Sequence, residues 1–259
     1  MPFADLNDFR IHYEITGDPG LPVLVLSHSL GVSLGMWDLQ LPALFSGFRV
    51  LRYDTRGHGR SAAPEGPYTA ADLGGDVIGL FDTLGIECAS FCGLSMGGVI
   101  GQWLAINAPS RIHKLILAST AAKIGTQETW NTRITTILQD GLQSIIPGTL
   151  ERWFTADFRA SDTEIVADVA TSLEATTAQG YLGCCAAIRD ADFRATIAAI
   201  TASTLVISGT QDPVTPPQDG RFLTQNIAGA EFVELPAAHL CNVELAEEFS
   251  ATLLNFLTA

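Results

Sequence analysis

A serine framed by glycines, Gly93-Leu94-Ser95-Met96-Gly97-Gly98, is the segment of this sequence best suited to do chemistry. An apolar run, Ala89 to Cys92, suits a buried strand and leads into it, and an apolar stretch of helical length follows. This is the strand, elbow and helix order of a nucleophile elbow. So tight a turn leaves almost no room for a side chain two residues before or two after the serine. It also strains the serine backbone and lifts the hydroxyl clear of the sheet. Ser95 is therefore the expected nucleophile. Two similar spellings read differently. Gly31-Val32-Ser33-Leu34-Gly35 begins several residues after the strand-like run Val23 to Leu26 and is not joined to it by a tight turn, so Ser33 reads as a structural loop serine. Gly57-His58-Gly59-Arg60-Ser61-Ala62 follows the strand-like Val50 to Tyr53 and mimics a dinucleotide fingerprint, but Pro64, Gly66 and Pro67 forbid the helix that fingerprint needs.

A serine hydroxyl becomes a good nucleophile when a base takes its proton, and behind an elbow of this kind the partners follow in the order serine, carboxylate, histidine. Of the five histidines (His12, His28, His58, His113, His239), one lies late enough. His239 comes directly after the strand-like Ala230 to Leu235, in a loop at a strand end, and is the expected base. Asp212 is the expected carboxylate, because it sits in the exit loop of the β-branched run Thr204 to Gly209, stiffened by Pro213, Pro216 and Pro217. The earlier strand-like run Leu115 to Ser119 ends without an acid. An oxyanion hole needs two backbone N–H groups aimed where charge develops. Met96 N–H, at the start of the helix, supplies one. The loop Ser27-His28-Ser29-Leu30-Gly31 supplies the other, through Leu30 N–H, and His28 reads as a packing and hydrogen-bonding residue.

These groups need a scaffold, and 259 residues suffice for one sizeable core. Strand and helix signals alternate from residue 8 to about 120 and resume near 201, which predicts an α/β fold with a mostly parallel, doubly wound sheet. Between Trp130 and Arg194 strand-like runs vanish and Ala, Leu, Ile and Thr recur at helical spacing. The predicted organisation is thus a core of residues 1–120 and 196–259 with a helical insertion over 121–195. There are no repeats, low-complexity tracts or long linkers. Five cysteines, odd in number and without paired spacing, read as reduced thiols packed in the interior rather than as a zinc site. No apolar run reaches the ~20 residues that span a bilayer, and no Lys/Arg-led apolar segment opens the sequence, so a cytoplasmic protein is expected. A net charge of -14 argues against nucleic acid and anionic membrane surfaces as partners, and nothing sets the oligomeric state.

The segments Leu26 to Gly31, Met36-Trp37-Asp38-Leu39-Gln40, Phe48 to Gly59, Phe91 to Gly98 with Gly101-Gln102-Trp103-Leu104, and Thr129-Trp130-Asn131-Thr132-Arg133 stand out together. With them the sequence resembles the α/β-hydrolase superfamily over its whole length and, more narrowly, the 3-oxoadipate enol-lactonases of bacterial aromatic degradation. The elbow and the Asp-x-Arg-Gly-His-Gly turn belong to the wide superfamily. The Ser-Leu-Gly loop and the Trp-Asn-x-Arg segment narrow the resemblance, and His28 departs from the asparagine of many such lactonases. The resemblance implies an acyl-enzyme mechanism with no metal or organic cofactor, and a helical cap over the nucleophile. It also implies a small anionic lactone as substrate, whose free carboxylate an acidic protein must meet with a local cation. The positive residues of the insertion are Lys123, Arg133, Arg152, Arg159, Arg189 and Arg194. Trp130 and Arg133, three apart in a segment that Thr126 could cap, share a helix face and are the expected substrate-binding pair, with a surface arginine over a packed tryptophan as the alternative. A general carboxylesterase, a cofactor-free perhydrolase and a small-molecule receptor with an intact triad remain open beside the lactonase.

Overall fold

Short runs that are apolar on both faces, such as Val23–Ser27 and Ala89–Leu94, are stable only in a sheet covered on both sides. The computed structural model, which describes residues 2–6 and 9–259, places them at the centre of one. Its strands are β1 (Phe3–Leu6), β2 (Phe9–Thr16), β3 (Val23–Ser27), β4 (Arg49–Tyr53), β5 (Ala89–Leu94), β6 (Ile112–Ala118), β7 (Ser203–Gly209) and β8 (Glu231–Leu235). They lie in the order β1-β2-β4-β3-β5-β6-β7-β8. β1 and β2 are antiparallel to their neighbours, and from β4 to β8 every pairing is parallel. The strand signal read from residue 8 begins on a residue outside those described, as does the predicted boundary at residue 1. The chain first moves from β3 to β4 on one side and then crosses to β5 on the other. Loops leaving β3 and β5 therefore diverge, and a crevice opens between them at the carboxyl ends of the strands, the usual place for a ligand in such a sheet.

Local signals start and stop the helices around this sheet. Thr69 caps the helix Ala70–Leu84 in a reciprocal box with Asp72, and Gly85, at φ 65, ends it in the left-handed conformation. The run Pro64 to Pro67 before it contains no helix. The helix Met96–Asn107 is apolar on nearly every side and is correspondingly buried. β6 and β7 pair directly, although about eighty residues separate them in sequence. That interval folds into the helices Gln127–Asp140, Ile146–Trp153, Ala156–Ser161, Thr163–Ala175 and Ala178–Asp190. Thr126 caps the first of them, its hydroxyl accepting from Thr129 N–H at 3.1 Å.

Four of the five cysteines are buried and none is bonded to another, but Cys88 is exposed, which corrects the expectation that all are interior. It lies just before β5, where the chain is still at the surface. Burial pushes the Cys185 and Cys241 thiols up to about 12, so both stay protonated and unreactive at neutral pH. No helix among the described residues is long and apolar enough to cross a membrane.

Candidate active site

The elbow is built by steric exclusion. A Cβ on Gly93 would lie 2.1 Å from the Gly97 carbonyl oxygen, and one on Gly97 would lie 2.2 Å from that of Ser27. Between them Ser95 adopts φ 57 and ψ -110, a conformation costing on the order of 1–3 kcal/mol that persists only if its surroundings dictate it. They do so through β6. Ser95 N–H donates to Ala118 O at 2.9 Å, and the Thr120 hydroxyl donates to Ser95 O at 2.9 Å.

Asp212 leaves β7 and His239 leaves β8, and because those strands are parallel neighbours their exit loops meet at one edge of the sheet. His239 Nδ1 lies 2.8 Å from Asp212 Oδ2 with both side chains buried. The other carboxylate contacts are donors as well: Val214 N–H at 2.7 Å and Thr215 N–H at 3.1 Å to Oδ1, and the Thr215 hydroxyl at 2.8 Å to Oδ2. Burial opposes the charged form of Asp212, but the His239 charge and the bonds from His239 and Thr215 outweigh it and hold the carboxyl below its ordinary range. An ionised Asp212 keeps the imidazole proton on Nδ1 and leaves Nε2 free to accept.

Ser95 and His239 line one small cavity, together with Ser29, Leu30, Trp130 and Arg133. Ser33 does not; it lines a separate cleft with Met36, Leu39, Ile165 and Val169. Neither Leu30 N–H nor Met96 N–H has a protein acceptor among the described residues, and both belong to segments that reach this cavity or its nucleophile. Thus the expected nucleophile, base, carboxylate, loop donor, tryptophan and arginine converge. The model for the alpha/beta hydrolase fold family matches residues 22–244 of this sequence. The chain belongs to the α/β-hydrolase fold family.

Relatives of this α/β-hydrolase include 3-oxoadipate enol-lactonase 2 of Acinetobacter baylyi, 43% identical over 244 residues that make up 94% of this chain and 91% of the relative. The crystal structure of the enol-lactonase from Burkholderia xenovorans LB400 is 46% identical and superposes with a TM-score of 0.98 over all of both chains. A hydrolase from Pseudomonas aeruginosa is 45% identical, with a TM-score of 0.97 over 100% of this chain and 98% of that one. With this fold and these relatives the protein is a hydrolase.

The cavity of the hydrolase also has walls that its sequence did not single out. Arg152, one of six positive residues in the insertion, lines it beside Arg133, as do Trp153 and Tyr181. The other four cations are engaged elsewhere: Lys123 and Arg194 with Asp192, Arg189 with Asp190, and Arg159 with the carbonyls of Glu151 and Phe154. Arg133 donates from Nε to the Tyr181 hydroxyl at 2.9 Å and from Nη2 to the Thr149 hydroxyl at 2.9 Å. Among the described residues neither Arg133 nor Arg152 has a carboxylate partner within 4.0 Å. Burial, reinforced by the Arg133 charge, holds Arg152 below its ordinary value, so the two guanidinium groups repel and share a demand for an anion. Trp130 is fixed by its indole N–H, which donates to Ile124 O at 2.7 Å. No local pattern sets Arg152, Trp153 or Tyr181 apart, since the helices Ile146–Trp153 and Ala178–Asp190 must pack together before they face one space.

A pair of buried histidines supports the loop after β3. His58 Nε2 accepts from Gly31 N–H at 2.8 Å while its Nδ1 faces Arg56 O at 3.2 Å, so the ring must be neutral with its proton on Nδ1. Burial first, then the neighbouring His28, push His58 down to about 3, against the opposing pull of the Arg56 carbonyl and Asp54. In the unfolded chain this group takes up a proton near 6.5, so its contribution to stability is complete above that pH and is lost as pH falls toward about 3. Each pH unit in that window removes about 1.4 kcal/mol. His58→Gln is expected to flatten the decline in stability between pH 6.5 and pH 4.5 by close to one proton, measured by urea unfolding. An unchanged slope would assign the acid sensitivity to other groups.

Proposed function

We propose that this α/β-hydrolase opens the lactone ring of 3-oxoadipate enol-lactone, as the names of its relatives suggest, through a serine acyl-enzyme. The observation that carries the substrate class is the Arg133 and Arg152 pair, two guanidinium groups without carboxylate partners that face the cavity of Ser95 and His239. In a protein of net charge -14 this is where an anionic substrate gains affinity and orientation. Trp130 supplies an apolar wall for a flat ring.

Ser95 Oγ attacks the lactone carbonyl as His239 Nε2 takes its proton, and Asp212 stabilises the resulting imidazolium. The N–H groups of Leu30 and Met96 receive the charge on the carbonyl oxygen. Collapse of the tetrahedral intermediate breaks the ring C–O bond. The departing enolate receives the proton from His239 and becomes the ketone. Water then attacks the acyl-enzyme, giving its proton to His239, and the second carboxylate is released from a restored Ser95. The helical insertion, residues 121–195, acts as a cap over the core of residues 1–120 and 196–259. Since the cavity has a volume of only about 50 Å³, substrate enters as that cap gives way. Such a product belongs to the bacterial degradation of aromatic compounds.

Arg133→Ala is expected to lower kcat/KM for the carboxylated enol-lactone on the order of tenfold to a hundredfold while changing that for a neutral ester of similar size far less. Arg133→Lys should restore little, because an ammonium lacks the planar fork. Steady-state kinetics on both substrates checks this. Equal losses on the two would make Arg133 a packing residue of the cap, and efficient turnover of neutral esters alone would favour a general carboxylesterase.

A further inference from the structure

A buried hydroxyl with no partner raises the question of what it meets during the reaction. Ser29 is 1% exposed, and its Oγ has no hydrogen-bond partner among the described residues. A buried polar group in this state is destabilising unless something satisfies it. The other buried polar atoms in the same state, on Trp37, Thr55, Gln102 and Asn242, do not line the cavity of Ser95 and His239, whereas Ser29 does. Ser29 is also the residue directly before Leu30, whose N–H has no acceptor.

The backbone here is held rigid. His28 Nε2 accepts from Thr55 N–H at 2.9 Å, so its proton sits on Nδ1 and is donated to Ser29 O at 2.7 Å. Ser29 C=O and Leu30 N–H are opposite ends of one planar peptide, so clamping the oxygen fixes the direction in which the N–H points. The next peptide is pinned too, because Gly31 N–H donates to His58 Nε2 at 2.8 Å. A hydroxyl borne on so fixed a segment has little freedom to lose when charge develops beside it.

We propose that Ser29 Oγ–H is a third donor to the oxyanion, hydrogen-bonding the carbonyl oxygen of the tetrahedral intermediate alongside the N–H groups of Leu30 and Met96. No proton is transferred; the hydroxyl rotates toward the oxygen as it becomes negative. The inference rests on the serine reading above and adds a catalytic residue to it.

The test measures hydrolysis of a neutral activated ester, for which the two arginines matter little, by the intact enzyme and by Ser29→Ala, Ser29→Thr and Ser95→Ala. Ser29→Ala is expected to lower kcat on the order of tenfold to a hundredfold with KM nearly unchanged, because the bond exists only in the transition state. Affinity for a phenylboronic acid, which forms a tetrahedral adduct on a nucleophilic serine, should fall by a similar factor. Ser29→Thr, which keeps the hydroxyl, should recover part of both, with thermal unfolding showing each variant folded. Unchanged kcat and boronate affinity in Ser29→Ala would overturn the proposal, and so would a loss confined to KM, which would place the hydroxyl on the ground-state substrate. Full activity in Ser95→Ala would overturn the serine reading and this inference with it. An inactive Ser95→Ala beside a normal Ser29→Ala would remove only the third donor.

Discussion

Replacing Ser95 with alanine is expected to lower kcat for the lactone by roughly five to six orders of magnitude while the protein stays folded. The residual rate would come from the oxyanion donors and from binding alone. The cysteine thiols packed in the core do not substitute, because they are buried and Cys185 and Cys241 are held protonated by that burial. Folding should survive, and alanine removes only an oxygen from a backbone that Ala118 and Thr120 already hold. Ser33→Ala is the matched control. It shares the Gly-x-Ser-x-Gly spelling but lies in a different cleft, and its kinetics should match those of the unmodified enzyme. Single-turnover measurements with native circular dichroism decide the matter; comparable losses in both variants would remove Ser95 from its assigned role.

Asp212→Asn is expected to cost about 10⁴-fold in kcat with little change in KM. The present carboxylate accepts from His239 Nδ1 at 2.8 Å and from Thr215 and Val214, all of them donors. An asparagine in the same place turns one oxygen into an N–H₂ group. Facing Nδ1, that group would donate to it and drive the imidazole proton to Nε2, where it blocks acceptance from Ser95. Turned the other way, it would face the Val214 and Thr215 N–H groups, two donors, and lose both of those bonds. The variant should therefore keep its substrate affinity and lose its base, a split visible in kcat against KM. A loss in KM of the same size would mean that Asp212 serves mainly to shape the cavity.

Much of this arrangement was legible before any coordinates. Glycine spacing identified the elbow because only glycine fits where a Cβ would meet the Gly97 or Ser27 carbonyl at close to 2 Å. The strand ends after β7 and β8 identified Asp212 and His239, since an apolar β-branched run followed by a proline-stiffened loop, or by a single late histidine, leaves few choices. Thr126 and Arg133 were readable as a cap and a helix face. Local rules sufficed in each case because the constraint acts within a few residues. They did not suffice for β1, a four-residue strand whose stability comes from pairing with β2 rather than from its own composition. Cys88 was misjudged for the same reason: its exposure depends on where β5 begins to be covered.

What the sequence determined alone was therefore the set of candidate groups and their order along the chain: a strained serine, then an acid, then a histidine, with a helical insertion between the first two. What only the tertiary structure decided was who faces whom across the cavity. Arg152 and Trp153 come from one helix, Tyr181 from another and Ser29 from a loop far away in sequence, and nothing in their local patterns distinguishes them from surface or core residues. The same holds for which of six cations lack a carboxylate partner, because pairing is settled by distances between side chains rather than by spacing in the chain. Backbone stereochemistry and turn geometry act over a few residues and can be read from them. Desolvation and Coulomb forces act through space, and only the folded chain sets the distances on which they depend.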